Sequence, residues 1–271
     1  MSTVRPRHAL TIRECWECLA STPVGRVAYV RDGRPEVRLV NFTTSDGHIV
    51  IWSRPGSKAK ALRNQVVAFQ ADQIDPGTGT GRSVVVLGTA GVVSDEDESL
   101  SQIEPVRRPW VSGSLDNVIR IRVQQLTGQH LEWPPASTHP EVRPASPGHR
   151  VRTTAGRAPL VELDAQQCWT YLRATSVGRL VSVAGTLPAI QPVRYTIRDR
   201  QIVCWSQDTD ATVRVGDSVA VEVGDIDRRT RSGWSAVAQG VVETVEPTVI
   251  RVAQVTGRQV LPAAGLDGDI G

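Results

Sequence analysis

The chain has 271 residues, of which 40% are hydrophobic and 22% charged, and its formal net charge is +3. No apolar run approaches the roughly eighteen residues that a membrane-spanning helix needs. The composition therefore argues against an integral membrane protein and a disordered tail, and fits one large domain or two modest ones. So small a charge surplus, with no basic stripe interleaved with aromatics, excludes a nucleic-acid footprint.

Arg5, Arg7 and His8 run straight into a capped helix pattern rather than an apolar leader, which predicts a cytoplasmic location. Thr11 to Glu14 has capping-box spacing and opens that helix. Val24–Arg31 and Pro35–Thr43 read as strands around the Asp32-Gly33 turn, and His48–Ser53 as a third strand after Asp46-Gly47. Ser57–Asn64 carries good helix formers. Val66–Ala71, Ser83–Val93 and Val118–Leu131 are Val/Ile-rich strands, with an acidic, capped segment (Ser94–Glu104) before the last. Six strands with short helices at the seams predict a small antiparallel barrel, a mainly β fold of the α+β class.

The same order then returns. At an offset of 153, Cys15, Trp16 and Leu19 meet Cys168, Trp169 and Leu172, Val24-Gly25-Arg26 meets Val177-Gly178-Arg179, and Trp52-Ser53 meets Trp205-Ser206. After a one-residue slip, Ala68 meets Ala220, Ser83 meets Ser235 and Gly88 meets Gly240, and Thr127-Gly128 and Thr256-Gly257 close both copies. Tryptophan is rare, so two Trp pairs at one offset mark a tandem duplication. Asp164 to Gln167 repeats the capping box. Pro134 to Pro159, with six prolines, reads as an extended linker. The expected domains are residues 1–133, a linker over 134–159, and a second unit over 160–271.

One segment of the first copy carries a chemical signal, Trp52-Ser-Arg-Pro-Gly-Ser-Lys-Ala-Lys60. Its Lys58 and Lys60 are the only lysines among 31 basic residues. A strand ends at Ser53 and a helix begins at Ser57-Lys58. There free backbone N–H groups, a hydroxyl and a compact ammonium favour a phosphate. The same spacing also suits an ordinary solvated helix start.

The order helix, Val-Gly-Arg strand, hairpin, Val-Asn-Phe strand, Asp-Gly turn and Gly-Ser-Lys helix resembles the pyridoxamine-phosphate-oxidase-like, FMN-binding split-barrel family. The resemblance covers both copies, over about 10–131 and 163–260, and includes Pro109-Trp110 and the closing Ile119-Arg-Ile and Leu126-Thr-Gly128. It implies two tandem six-stranded split barrels packed as an intramolecular pseudo-dimer, with a flavin between them. It further implies cofactor contacts at Arg38, Asn41, Trp52, Ser53, Ser57 and Lys58, and at Trp110, a position from which the family's Trp often reaches the neighbouring subunit's cofactor. FMN, or a deazaflavin with the same phosphate end, would suit those residues. Oxidoreductase chemistry on a small molecule follows from the resemblance, with no acid or base nameable from the residues. The second copy departs from the pattern: its equivalent segment reads Ser206-Gln-Asp-Thr-Asp-Ala-Thr, and Asp208 and Asp210 would repel a phosphate. At most one good site per chain is therefore expected. The rival expectation is a cofactor-free binding or scaffold protein descended from that family.

Other features read as structural. Cys15-Trp-Glu-Cys18, only half repeated at Cys168, cannot build a four-Cys zinc site and is read as a buried helix face. The five histidines show no metal or triad spacing, so no metal site is expected. Gly77 to Arg82 reads as a hairpin loop, with a lid over the cleft as the other option. Asp72 and Asp75, recurring as Asp225 and Asp227, read as strand-end turn residues.

Overall fold

The computed structural model describes residues 9–53, 61–75, 78–93, 117–133, 160–205, 213–227 and 232–261. The segment 94–104, the linker 134–159, and Ser57, Lys58, Trp110, Asp208 and Asp210 lie outside these residues. Helix α1 (Ile12–Ser21) begins as its sequence predicts: Thr11 Oγ1 accepts the Glu14 N–H at 3.2 Å and Glu14 Oε2 accepts the Thr11 N–H at 2.7 Å. Helix α2 (Ala165–Ala174) repeats this box between Asp164 and Gln167, at 2.8 and 2.9 Å.

Strands β1 (Val24–Arg31), β2 (Arg34–Ser45), β3 (His48–Ser53), β4 (Gln65–Asp75), β5 (Thr80–Val93) and β6 (Asn117–Glu132) close into an antiparallel barrel of order β1-β2-β3-β6-β5-β4. The second copy holds β7 (Leu160–Leu163), β8 (Val177–Ala184), β9 (Leu187–Arg198), β10 (Gln201–Trp205), β11 (Ser218–Asp227), β12 (Ser232–Val245) and β13 (Thr248–Val260). Pairing of β10 with β13 and of β8 with β11 gives the ring β8-β9-β10-β13-β12-β11, the first copy's cyclic order. Strand β7 has no counterpart in the sequence reading. It pairs with Gly257–Val260, where the described residues of the first copy show an isolated bridge between Ala9 and Gln129.

Alternation along each strand divides two cores. One face of the first copy fills its barrel with Phe42, Ile49, Ile51, Phe69 and Ile121, covered by Cys15, Cys18 and Leu19 of α1. The second barrel repeats this with Val193, Ile202, Val221 and Ile250 beneath Cys168 and Leu172. The opposite faces carry Ala28, Val37 and Ala68 on one barrel and Val181, Ile190, Ala220 and Val237 on the other, and these form a third core between the barrels. Small residues at this face let the two sheets approach closely, and the pseudo-dimer is held within one chain.

The repeated glycines have backbone reasons. Both Gly88 and Gly240 sit at register shifts, and a Cβ there would lie 2.3 Å from the carbonyl oxygen of Arg122 or Arg251. Gly128 and Gly257 leave room for the Cys15 and Cys168 sulfurs, which a Cβ would meet at 2.6 and 2.8 Å. Replacing Gly88 or Gly240 by Ala is expected to destabilise the protein by about 1–3 kcal/mol through forced backbone displacement. Gly91→Ala, where the nearest atom is 4.0 Å away, should change stability by less than about 0.5 kcal/mol. Urea unfolding of the three variants checks this; equal midpoints would refute the steric argument.

Candidate functional site

Charged side chains lie inside the contact between the barrels. The Arg26 guanidinium on β1 donates from Nε to Glu222 Oε2 on β11 at 2.7 Å. Arg179 on β8, the repeat of Arg26, donates from Nε and Nη2 to the two carboxylate oxygens of Asp72 on β4, at 2.8 and 2.6 Å. Arg26 Nη1 also lies 3.6 Å from Asp72, and the four side chains are between 0% and 8% exposed. Burial alone would raise the Asp72 carboxyl, but Arg179 and Arg26 outweigh it and hold the group below its ordinary range. Asp72 therefore ties the two barrels together and is no strand-end turn residue, contrary to the sequence expectation. Within the one-residue slip its true counterpart is Gly224, while Glu222 matches Gln70. Asp75 and Asp225 do fit the turn reading: Asp75 accepts the Thr78 N–H at 3.3 Å, and Asp225 the Ile226 N–H at 2.8 Å.

The predicted cofactor residues divide by face. Asn41 precedes Phe42 on β2 and Trp52 follows Ile51 on β3, and Phe42 and Ile51 are a register pair inside the barrel. Asn41 and Trp52 thus share the outer face, which also carries Val37 of the inter-barrel core. Arg38 lies on the other face of β2. Its Nη2 pairs with Glu36 at 2.8 Å and its Nη1 donates to the Val37 carbonyl at 3.3 Å, while Nε is buried without a partner. Strand alternation thus sends the Arg38 and Asn41 side chains to opposite faces of β2. Ser53 ends β3.

A solvent-open cavity of about 660 Å³ runs between the barrels, within the size range of small-molecule sites, and none of Arg38, Asn41, Trp52 and Ser53 is among its lining residues. Val24, the register partner of Asn41, lines it, with Arg26, Asp72 and Arg179 beneath and Asp75 and Asp225 among the lining residues. Of the stretch read as a hairpin loop, Gly77 lies outside the described residues; β4 and β5 pair antiparallel with Asp75 opposite Thr80.

The cysteines take no part. All four are buried and none forms a disulfide, and burial pushes the Cys168 thiol up to about 11 and the Cys204 thiol up to about 12, the opposite of an activated thiolate. Among the described residues no group of three His, Cys, Asp or Glu side chains could hold a metal ion, and no helix is long and apolar enough to cross a membrane.

Two paired six-stranded split barrels with a polar cavity between them define the class. The family model for pyridoxamine 5'-phosphate oxidase matches residues 11–131 and again 164–264, so the chain belongs to that family, in tandem duplicate. The uncharacterized protein Rv0080 of Mycobacterium tuberculosis is 37% identical over 121 residues, which cover 42% of this chain and 79% of the relative. Solved structures similar to one unit of the chain include an FAD binding protein from Mycobacterium smegmatis, 26% identical, covering 46% of this chain and 98% of the other with a TM-score of 0.40. Another is an FAD-binding protein from Mesorhizobium loti, 29% identical, covering 45% of this chain and 96% of the other with a TM-score of 0.40.

Sequence reasoning overlooked the four interface charges. Their signal was present: an Arg ends the same Val-Gly-Arg triplet in both copies, inside an otherwise apolar strand. A buried guanidinium repeated in this way requires a buried carboxylate partner.

Proposed function

We propose that the chain binds one flavin-type cofactor, FMN in the simplest case, on the first barrel's side of the inter-barrel contact, and acts as an oxidoreductase on a small molecule. The observation that carries this reading is the shared outer face of Asn41 and Trp52, with Val24, the register partner of Asn41, lining a cavity between the barrels. The Trp52 ring offers a flat apolar surface, and the Asn41 amide offers both a donor and an acceptor for a heteroaromatic edge. The acidic groups Asp75 and Asp225 of the cavity do not suit a phosphate. The reading therefore puts the phosphate at Ser57-Lys58 and the ring system toward Asn41 and Trp52, with Trp110 contributing from its own segment. Arg38, paired with Glu36, serves by fixing β2. When bound, the isoalloxazine supplies hydride or electron transfer, and the protein supplies orientation and exclusion of water.

The test is the absorption spectrum of the purified protein followed by calorimetric titration of the stripped chain with FMN, FAD, riboflavin and a deazaflavin phosphate. Saturation at one equivalent per chain is the expected result, because the matching segment of the second copy carries Asp208 and Asp210 and no Lys. Two equivalents would overturn the single-site reading. A chain that ignores all four compounds would be the cofactor-free binding protein instead.

A further inference from the structure

The cavity between the barrels has a floor and a mouth of opposite chemistry. Arg26 and Arg179 line it with side chains 7% and 8% exposed, whereas Asp75 and Asp225 line it as exposed residues. Asp72 lies between the two guanidiniums, accepting from Nε and Nη2 of Arg179 and standing 3.6 Å from Arg26 Nη1. Glu222 accepts from the Nε of Arg26. The terminal nitrogens Nη1 and Nη2 of Arg26 therefore have no hydrogen-bond acceptor among the described residues, since 3.6 Å is beyond the reach of one. They are not shut off from solvent as the Nε of Arg38 is, and the cavity is the open space that Arg26 lines. A guanidinium withdrawn from bulk water with donors unspent favours an oxygen acceptor placed against it.

The charge around the cavity selects the kind of acceptor. The lining holds two guanidiniums against three carboxylates, and Glu222 stands behind Arg26 as a further carboxylate. An anionic ligand would add to that excess, while an uncharged carbonyl oxygen meets the same donors without adding to it. At the mouth the excess favours a cation. Asp225 spends Oδ1 on the Ile226 N–H, a neutral donor that leaves its charge in place. Ile74 and Ile226, on β4 and β11, give the walls an apolar part from each barrel.

We propose that this cavity binds a small amphipathic cation carrying an uncharged carbonyl oxygen, the class to which amino-acid amides belong. The terminal nitrogens of Arg26 donate to the oxygen, Asp225 and Asp75 hold the cation at the mouth, and Ile74 and Ile226 cover the alkyl part. The assignment uses none of the residues placed on the flavin, so it is independent of cofactor binding.

The experiment is calorimetric titration of the full chain, as purified and again with added FMN, with leucinamide at a pH where its amine is protonated. Isopentylamine lacks the carbonyl, isocaproamide lacks the amine, and leucine carries a carboxylate in place of the amide. Leucinamide is expected to bind, with isopentylamine and leucine roughly tenfold weaker and isocaproamide about fivefold weaker. Asp225→Asn should weaken leucinamide and isopentylamine by up to about fivefold and leave isocaproamide unchanged. Arg26→Lys keeps the charge beside Glu222 but loses the fork, and should weaken leucinamide about tenfold while sparing isopentylamine. Asp225 is exposed, so its variant should melt at the wild-type temperature and carries the test even where Arg26→Lys fails to fold. The proposal fails if wild type does not bind leucinamide, if leucine binds as tightly, or if Asp225→Asn binds leucinamide as well as wild type does. It also fails if FMN displaces leucinamide, because the probe would then occupy the place of the cofactor.

Discussion

Replacing Asp72 by Asn is expected to lower the stability of the paired barrels by about 3–5 kcal/mol, the usual consequence of stranding a buried charge. Asp72 has a 4% exposed side chain and holds Arg179 through both carboxylate oxygens. The amide keeps the shape but removes the charge, and one of its two polar atoms becomes a donor facing a donor. Of the described carboxylates, Glu222 is the one then left near Arg179, and it is already engaged by Arg26 and by the Ser235 hydroxyl at 2.9 Å. Asp32→Asn, at a side chain 91% exposed, should change stability by less than about 0.5 kcal/mol. Denaturant unfolding of the full chain compares the two; similar losses in both variants would refute the role given to the ion pair.

The same pair sets a pH dependence with a definite sign. Asp72 has a folded-state pKa below its ordinary value of 3.8. Its contribution is therefore fully present above that ordinary value and is lost as the pH falls through the lower folded value. Wild type and Asp72→Asn should accordingly differ by a constant amount at neutral pH, with a gap that narrows only below about pH 4. A gap that closes between pH 5 and 7 would assign the effect to some other group.

Local chemistry made much of the fold legible. Both capping boxes, the Asp32-Gly33 and Asp46-Gly47 turns, and the bounds of β1 and β3 follow from side chains acting on their own backbone. The repeated Cys and Gly pairs were visible as pairs, but their reason, a helix sulfur seated over a strand glycine, depends on contacts distant in sequence. Strand β7 escaped because four residues beside a Pro-rich stretch carry no periodicity of their own and pair only with the far end of β13. The interface charges escaped for a similar reason: a carboxylate near a strand end looks like a turn residue until the second barrel covers it. Arg38 and Asn41, three apart on one strand, could have been separated from sequence alone, since strand alternation sends them to opposite faces.

Replacing Lys58 by Ala is expected to weaken FMN binding ten- to hundredfold if the phosphate sits at the start of the helix read over Ser57–Asn64. A charge-assisted hydrogen bond of this kind contributes about 1.5–3 kcal/mol, and about 1.4 kcal/mol corresponds to a factor of ten. The end of that helix is anchored, because Leu62 is 4% exposed and packs into the first barrel's core. On the sequence pattern Lys58 stands one turn before Leu62, and Lys60, two residues on from Lys58, belongs to another side of the helix. Lys60→Ala should therefore change FMN affinity much less, and both variants should melt close to the wild-type temperature. Riboflavin supplies the decisive comparison, because it keeps the ring system and lacks the phosphate. It should bind wild type and Lys58→Ala alike. A Lys58→Ala chain that holds FMN as tightly as wild type would remove the phosphate from this segment. A parallel loss of riboflavin would show that the lysine shapes the ring pocket rather than gripping an anion.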